Sequence, residues 1–380
     1  MKRMILLCLA IALLVGVLPV VGSAAPEVAA KSAYLIDVAT GTVLYEYNPH
    51  EKLPPASVTK VMTMLLIMEA ISDGRIGWDD PVTASENAAA KGGSQIYLKE
   101  GETMTVTDMV KSIAVSSAND CACAMAEHLA GSEEAFVEKM NQRAAELGME
   151  DTHFVNCTGL DDGPNGKEHL TSARDIALMS RQLLKYHPEI TKFTTIWMDT
   201  VRDGQFGLSN TNKLVRFYDG ATGLKTGFTA AAGYCLSASA KRDGMELVAV
   251  VMGCETSKDR FNACKALLDY GFANYCLVQP QTESMTVPVV LGQEKQVGAV
   301  LGQSSQLLIE KAQKSGVNIT TELQSQVTAP VSKGQRLGTM TVRIGAQVLA
   351  QIPLLAENTV PKRTFGELFT EILRRLCCGK

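Results

Sequence analysis

The 380-residue sequence contains no Cys-x-x-Cys pair and only five histidines: His50, His128, His153, His169 and His187, scattered along the chain. A zinc site draws Cys and His ligands together from short characteristic spacings, so no metal centre is expected. Dense clusters of lysine or arginine are missing as well. Charged residues make up 20% of the chain and the formal net charge is -4, which leaves no electrostatic footprint for nucleic acid. Ten cysteines are present, but without the regular spacing of a disulfide-stapled mini-domain, and a chain of this length carries its own core. Cys121 and Cys123 lie in an apolar helical stretch and Cys377 adjoins Cys378, so most of these residues read as small hydrophobes. The stretch 161–166, Asp-Asp-Gly-Pro-Asn-Gly, lacks the alternating ligands and closing glutamate of a calcium loop and reads as a turn. His153 and His169 sit in polar loops without partner ligands and receive no role, and nothing in the pattern calls for a cofactor.

What is there is ample apolar material, 46% of the chain, enough for two ordinary domains. Met1-Lys2-Arg3 precedes an almost unbroken apolar run from Met4 to Val21, closed by Gly22-Ser23-Ala24-Ala25-Pro26. A basic start, an apolar centre and small residues at the end form a secretory signal peptide, here assigned to 1–24. The competing reading is an uncleaved membrane anchor, since about 18 apolar residues can just span a bilayer; Pro19 and the small residues after it favour cleavage. Loss of Lys2 and Arg3 from the 36 basic residues leaves 34 against 40 acidic ones, a net charge of -6. An exported protein is therefore expected.

Two strand-like runs around Thr40-Gly41 open the remaining chain as a hairpin. Lys52-Leu53-Pro54-Pro55-Ala56 breaks the pattern. Residues 57–71 then place apolar groups on every side of a helix, as a buried helix requires. Helical periodicity recurs over 107–113, 118–129, 132–147 and 172–186, the last opened by the capping-box pattern Ser172-Ala173-Arg174-Asp175. Residues 233–240 and 245–252 read as strands around Lys241-Arg242-Asp243-Gly244, and a helix is expected over 260–272. Strands at both ends with helices between them indicate a mixed catalytic-type domain over 25–277 whose sheet is completed by both ends of the segment.

From 278 the character changes to short strand-like pieces, a small β-rich domain over 278–358 without any constellation of nucleophile, base and acid. Residues 359–380 end in an amphipathic helix with Phe365, Leu368, Phe369, Ile372, Leu373 and Leu376 on one face and Arg374 and Arg375 on the other. A cationic amphipathic helix suits in-plane attachment to an anionic membrane surface. The plainer alternative is a helix packed on protein.

Ser57 and Lys60, in Ser57-Val58-Thr59-Lys60, carry the first chemistry. A serine hydroxyl needs a base within reach, and a lysine three residues later lies on the same helical face. The helix N-terminus and burial both oppose positive charge there, lowering the lysine pKa toward that of a usable base. Ser-x-x-Lys alone is weak. Two further elements follow in order: Ser117 and Asn119 in Ser116-Ser117-Ala118-Asn119-Asp120, with a hydroxyl and an amide for proton relay and substrate hydrogen bonds, and Lys225, Thr226 and Gly227 in Gly223-Leu224-Lys225-Thr226-Gly227-Phe228-Thr229. In the last, a cation and a hydroxyl suit a substrate carboxylate and the glycine admits a close backbone. Taken singly, the second element is an ordinary helix cap and the third a simple turn before a strand.

In this order the three elements resemble the trio of β-lactamases and penicillin-binding proteins. The whole chain is similar to the low-molecular-mass penicillin-binding proteins of the D-alanyl-D-alanine carboxypeptidase family. That resemblance implies an α+β fold of the β-lactamase/DD-peptidase type, an antiparallel sheet with a helical subdomain. It further implies that Ser57 attacks the carbonyl between the terminal D-alanines of a peptidoglycan stem peptide, with Lys60 as base, and that water hydrolyses the acyl-enzyme. Ser117 and Asn119 match the second motif and Lys225, Thr226 and Gly227 the third. By the same resemblance, the amides of Ser57 and Phe228 are expected to form the oxyanion hole, and Arg260, at the place of an arginine before the last catalytic-domain helix, to help hold the terminal carboxylate. β-Lactams are the implied inhibitors, and the outer face of the cytoplasmic membrane or the cell wall the implied location. A β-lactamase would share fold and motifs, but Glu168-His169-Leu170-Thr171 does not match the Glu-x-x-Leu-Asn setting of a class A enzyme. A non-catalytic cell-wall binding protein is the alternative of another class, and it would have no need of Lys60.

Overall fold

Ser32–Asp37 (β1) is buried at all six positions, which suits a strand covered on both faces and paired on both edges. A computed structural model of the chain, describing residues 25–161, 166–280, 285–302 and 306–378, shows that arrangement. The expected signal peptide lies outside the described residues. β1 joins Val43–Tyr47 (β2), Ala221–Thr229 (β3), Gly233–Arg242 (β4) and Met245–Cys254 (β5) in a sheet of spatial order β2-β1-β5-β4-β3, every neighbour antiparallel. Both ends of the segment complete the sheet, as the pattern of the sequence predicts.

Helices cover both faces because β5 is apolar at successive positions and strand side chains alternate. Val248, Val250 and Met252 join the large core shared with Lys60–Ser72 (α1) and the helical region. Leu247 points the other way, onto Gly271 of the last helix. α1 is the centre of that core: Val61, Met62, Met64, Leu65 and Ile67 are all fully buried, each contributing roughly 1.5–3 kcal/mol of hydrophobic stabilisation. Around it pack Val106–Ser116 (α2), Asn119–Ala130 (α3), Glu133–Glu146 (α4) and Ala173–Tyr186 (α5). Thr105, Ser132 and Ser172 cap α2, α4 and α5 by accepting a first-turn amide. The capping box at Ser172 is only half made. Ser172 Oγ accepts from the Asp175 amide, but the Asp175 carboxylate accepts from Asp151 N–H and Thr152 Oγ1 instead.

Two elements differ from expectation. The segment expected as a turn before a strand is itself the edge strand β3, its apolar alternation hidden by Gly223 and Gly227. Ser257–Asn274 (α6) begins a turn earlier than the sequence suggests, because Thr256 and Asp259 form a complete capping box: Thr256 Oγ1 accepts from the Asp259 amide and the Asp259 carboxylate from the Thr256 amide.

The chain divides into two compact units between Asn274 and Tyr275. The second has a six-stranded sheet in the order Val317–Leu323, Arg336–Ile344, Gln347–Ala356, Gln296–Leu301, Thr286–Val290, Val327–Thr328. Its own core includes Val287, Val297, Leu337, Met340, Val342 and Leu354. Val317–Leu323 forms a strand although its sequence is polar and it is largely exposed. The terminal helix Phe365–Cys378 leaves Phe365, Phe369, Ile372, Leu373 and Leu376 exposed. No helix among the described residues is long and apolar enough to cross a membrane.

Ser172→Ala removes the cap of α5, the helix that bridges α1 and the sheet. It is expected to cost about 1 kcal/mol, measured as a lower midpoint in chemical unfolding followed by circular dichroism.

Candidate active site

The nucleophile candidate sits in a tight turn, not in the helix proper. Ala56–Thr59 is a 3-10 turn and α1 begins at Lys60, which corrects the expectation of a continuous helix from Ser57. With three residues per turn, positions i and i+3 eclipse, so Lys60 lies directly over Ser57. Its Nζ donates to Ser57 Oγ at 2.9 Å and to the Thr158 carbonyl at 2.8 Å. The Lys60 side chain has no exposure. Burial lowers its pKa from 10.5 to about 7, with the Asp120 carboxylate among the groups pulling weakly the other way.

Two glycines let neighbouring backbone close on this turn. At Gly159, φ is +82° and a Cβ would stand 1.8 Å from the Ala56 carbonyl oxygen. At Gly227, a Cβ would stand 2.5 Å from the Pro55 carbonyl oxygen. The loop ending in Gly159 presents the Thr158 carbonyl to Lys60, and Gly227 brings β3 against the turn from its other side.

Ser117 terminates α2 in the left-handed region, φ 63° and ψ 30°, which turns the chain sharply into α3 and leaves Ser117 Oγ buried without a hydrogen-bond partner. Asn119 opens α3. Its Nδ2 donates to the Gly92 carbonyl and its amide to the Ser94 carbonyl, both at 2.7 Å, while Oδ1 is buried and unpartnered. The adjacent Asp120 is fully buried and accepts from the amides of Ile96, Leu98 and Cys121. Two unsatisfied buried polar atoms within three residues are costly in a folded protein unless another molecule meets them.

On β3, Lys225 Nζ donates to the Thr226 carbonyl at 2.9 Å, and Thr226 Oγ1 to Thr211 Oγ1 at 2.6 Å. Burial, then the charges of Lys60 and Arg260, hold Lys225 well below the usual lysine range. Phe228 turns its ring outward, 54% exposed, and stacks on Tyr234 with centroids 4.3 Å apart. Arg260 lies within the first turns of α6, not before it. Its Nη1 donates to the Gly227 carbonyl at 2.9 Å, and the guanidinium covers the Tyr234 ring. In this structure Arg260 braces the backbone of β3, and electrostatic coupling links it to Lys225.

The sequence reading gave His169 no role, and the structure corrects that. His169 is 2% exposed. Its Nδ1 accepts from the Val155 amide at 3.1 Å, which leaves Nε2 to donate to Thr59 Oγ1 at 2.7 Å. Burial, followed by His153 and Lys60, lowers its pKa to about 4 and keeps it neutral. The loop that looked polar is folded inward to tie the nucleophile turn to the Thr158 loop. Thr158 acts through a backbone carbonyl, which side-chain pattern cannot reveal; Gly159 alone left a trace, as a glycine between Thr158 and Leu160.

A serine hydroxyl 2.9 Å from a buried lysine of lowered pKa, in a fold with an antiparallel sheet flanked by helices, defines a serine hydrolase of the Ser-x-x-Lys class. The chain belongs to the D-alanyl-D-alanine carboxypeptidase family, whose model matches residues 20–256; the model of the penicillin-binding protein 5 C-terminal domain matches 272–362. It is 44% identical to the D-alanyl-D-alanine carboxypeptidase DacF of Bacillus subtilis, over 88% of this chain and 87% of that one. Among solved structures, penicillin binding protein 5 of Haemophilus influenzae superposes with a TM-score of 0.74 at 31% identity, covering 90% of this chain and all of that one. Penicillin-binding protein D2 of Listeria monocytogenes, in its ampicillin-bound form, gives 0.59 at 32% identity over 65% of this chain and 100% of that one.

Lys60 accepts a proton only when neutral. Because its pKa is lowered to about 7, kcat/KM is expected to climb about tenfold per pH unit below that value and level off above it. Stopped-flow acylation from pH 5 to 9 checks this; a limb displaced to the ordinary lysine range would remove Lys60 from the role of base.

Proposed function

We propose that the protein is a serine-type D-Ala-D-Ala carboxypeptidase that removes the terminal D-alanine from peptidoglycan stem peptides. The observation that carries the reading is the contact between Lys60 Nζ and Ser57 Oγ, made by a lysine with no exposure and a pKa of about 7. In the first half-reaction, Ser57 Oγ bonds to the carbonyl carbon between the two D-alanines while Lys60 takes the hydroxyl proton. The amides of Ser57 and Phe228 hold the oxyanion. As the C–N bond breaks, the proton passes through Ser117 Oγ, which has no protein partner, to the leaving amine of D-alanine. Water then cleaves the ester, releasing the shortened peptide and restoring Ser57.

Asn119 fixes the peptide backbone on the acyl side with its free Oδ1. Lys225, Thr226 and Arg260 supply the positive, hydrogen-bonding end for the terminal carboxylate, while Gly227 leaves the substrate backbone room beside β3. Burial and the charges of Lys60 and Arg260 hold Lys225 well below the usual lysine range, and an arriving carboxylate favours its charged form. β-Lactams acylate Ser57 by the same attack. Glu168 is exposed, which supports a site not equipped to hydrolyse the resulting ester rapidly and sets aside the β-lactamase reading.

Replacement of Ser57 by Ala is expected to abolish both D-alanine release from diacetyl-Lys-D-Ala-D-Ala and covalent labelling by fluorescent penicillin. Release at the wild-type rate by Ser57→Ala would overturn the reading.

We further propose that residues 1–24 direct export, that 25–277 form the catalytic domain and 278–358 the β-rich domain, and that 359–380 attach the protein to the outer face of the cytoplasmic membrane. Support comes from the exposed apolar residues Phe365, Phe369, Ile372, Leu373 and Leu376 beside exposed Arg374. A chain ending at residue 358 is expected to lose co-sedimentation with anionic phospholipid vesicles while keeping its peptidase activity; retained binding would remove the helix from that role.

A further inference from the structure

Glu133 opens α4 directly after its cap, Ser132, and its side chain is only 10% exposed. Both carboxylate oxygens are engaged. Oε1 accepts from the Cys157 amide and from Cys157 Sγ, each at 3.2 Å. Oε2 accepts from Lys91 Nζ and, at 3.7 Å, from Cys123 Sγ. Burial alone would raise the Glu133 pKa, but the bonds from Lys91 and Cys157 outweigh it and hold the carboxylate below its usual range. The residue after Cys157 is Thr158, whose carbonyl accepts from Lys60 Nζ at 2.8 Å. Asn156 Oδ1 accepts from the amides of Thr158 and Gly159 at 3.1 and 2.7 Å, so residues 156–159 form one closed turn. Cys157 is the point where that turn is gripped: Thr63 Oγ1 of α1 donates to its carbonyl at 2.7 Å, and Glu133 holds its amide.

We propose that Glu133 is a positioning residue for the base: by holding the Cys157 amide it sets the Thr158 carbonyl against Lys60 Nζ and keeps water from that side of the amine, while Lys91 aims the carboxylate. A charged acceptor makes the stronger hydrogen bond. A buried amide deprived of its acceptor either draws the turn away or admits water. In both cases Lys60 loses part of the enclosure that makes it a base at neutral pH. Cys157 and Asp120 act on Lys60 electrostatically, and Lys225 and His169 lie within reach of it; all four stay unchanged in the test below. Lys91 also precedes Gly92, whose carbonyl accepts from Asn119, so the same ion pair joins the turn behind the base to the loop behind Asn119. The inference rests on the assignment of Ser57 and Lys60 in the peptidase reading above.

The test is the pH profile of acylation of the full chain by fluorescent penicillin, followed from about pH 5 to about pH 10. In Glu133→Ala the rising limb, expected near pH 7 for the wild-type protein, should move up by about one pH unit. Acylation should then be about fivefold slower at pH 7, and the two profiles should meet above about pH 9. Lys91→Met combined with Glu133→Gln removes both charges but leaves an oxygen for the Cys157 amide with no cation competing for it, and should keep the wild-type limb. If Glu133→Ala does not fold, Glu133→Asp, one methylene short of Cys157, should move the limb the same way by a smaller step. A limb that stays in place or moves down in these single variants, including a profile lowered evenly at every pH, reduces Glu133 to a structural residue and overturns the proposal. So does a double variant whose limb moves as far as that of Glu133→Ala. Wild-type protein that is not labelled at Ser57 instead overturns the peptidase reading itself.

Discussion

Everything at the site depends on withdrawing one ammonium group from water. Lys60 has no exposure, and the shift from 10.5 to about 7 corresponds to roughly 5 kcal/mol of discrimination against its charged form. That penalty on folding is fully present below about pH 7, where the native state too must carry the proton, and fades as pH approaches 10.5, where the unfolded chain is also neutral. A protein organised for stability alone would place a leucine there. The two acceptors, Ser57 Oγ and the Thr158 carbonyl, satisfy the amine without supplying a counter-charge, so the burial is turned into basicity.

The rest of the catalytic unit serves that withdrawal. α1, with Val61, Met62, Met64, Leu65 and Ile67 in the core, fixes its first turn there. The Gly159 loop and the Gly227 strand close on opposite sides of it, and His169 locks one of them to Thr59. Lys225, also buried, lies within electrostatic reach of Lys60. Burial, with the charges of Lys60 and Arg260, holds Lys225 well below the usual lysine range.

Legibility in the sequence followed the kind of group involved. Ser57 with Lys60, Ser117 with Asn119, and Lys225 with Thr226 are side chains at fixed local spacings, and a pattern of letters records them. The buried strands β4 and β5 and the capped helices were legible because period and cap residues are local. β3 was not, since Gly223 and Gly227 erase its alternation while giving it its closeness to the nucleophile turn. Thr158 contributes only a carbonyl. His169 and Asp120 gain meaning from groups distant in the sequence, which composition does not carry.

The sheet has one more consequence, in the order of events during synthesis. β1, near the start of the catalytic unit, pairs along its full length with β5, near the unit's end, Leu35 facing Ala249. Until β5 exists, β1 has only β2 beside it and presents its Ala33-Tyr34-Leu35-Ile36 stretch with one open edge. Such long-range pairing is slow to form and leaves the nascent segment prone to sticking. A chain built this way has reason to be kept unfolded until nearly all of the catalytic unit is available, and the strand that closes the sheet arrives only after every residue of the cleft except Arg260.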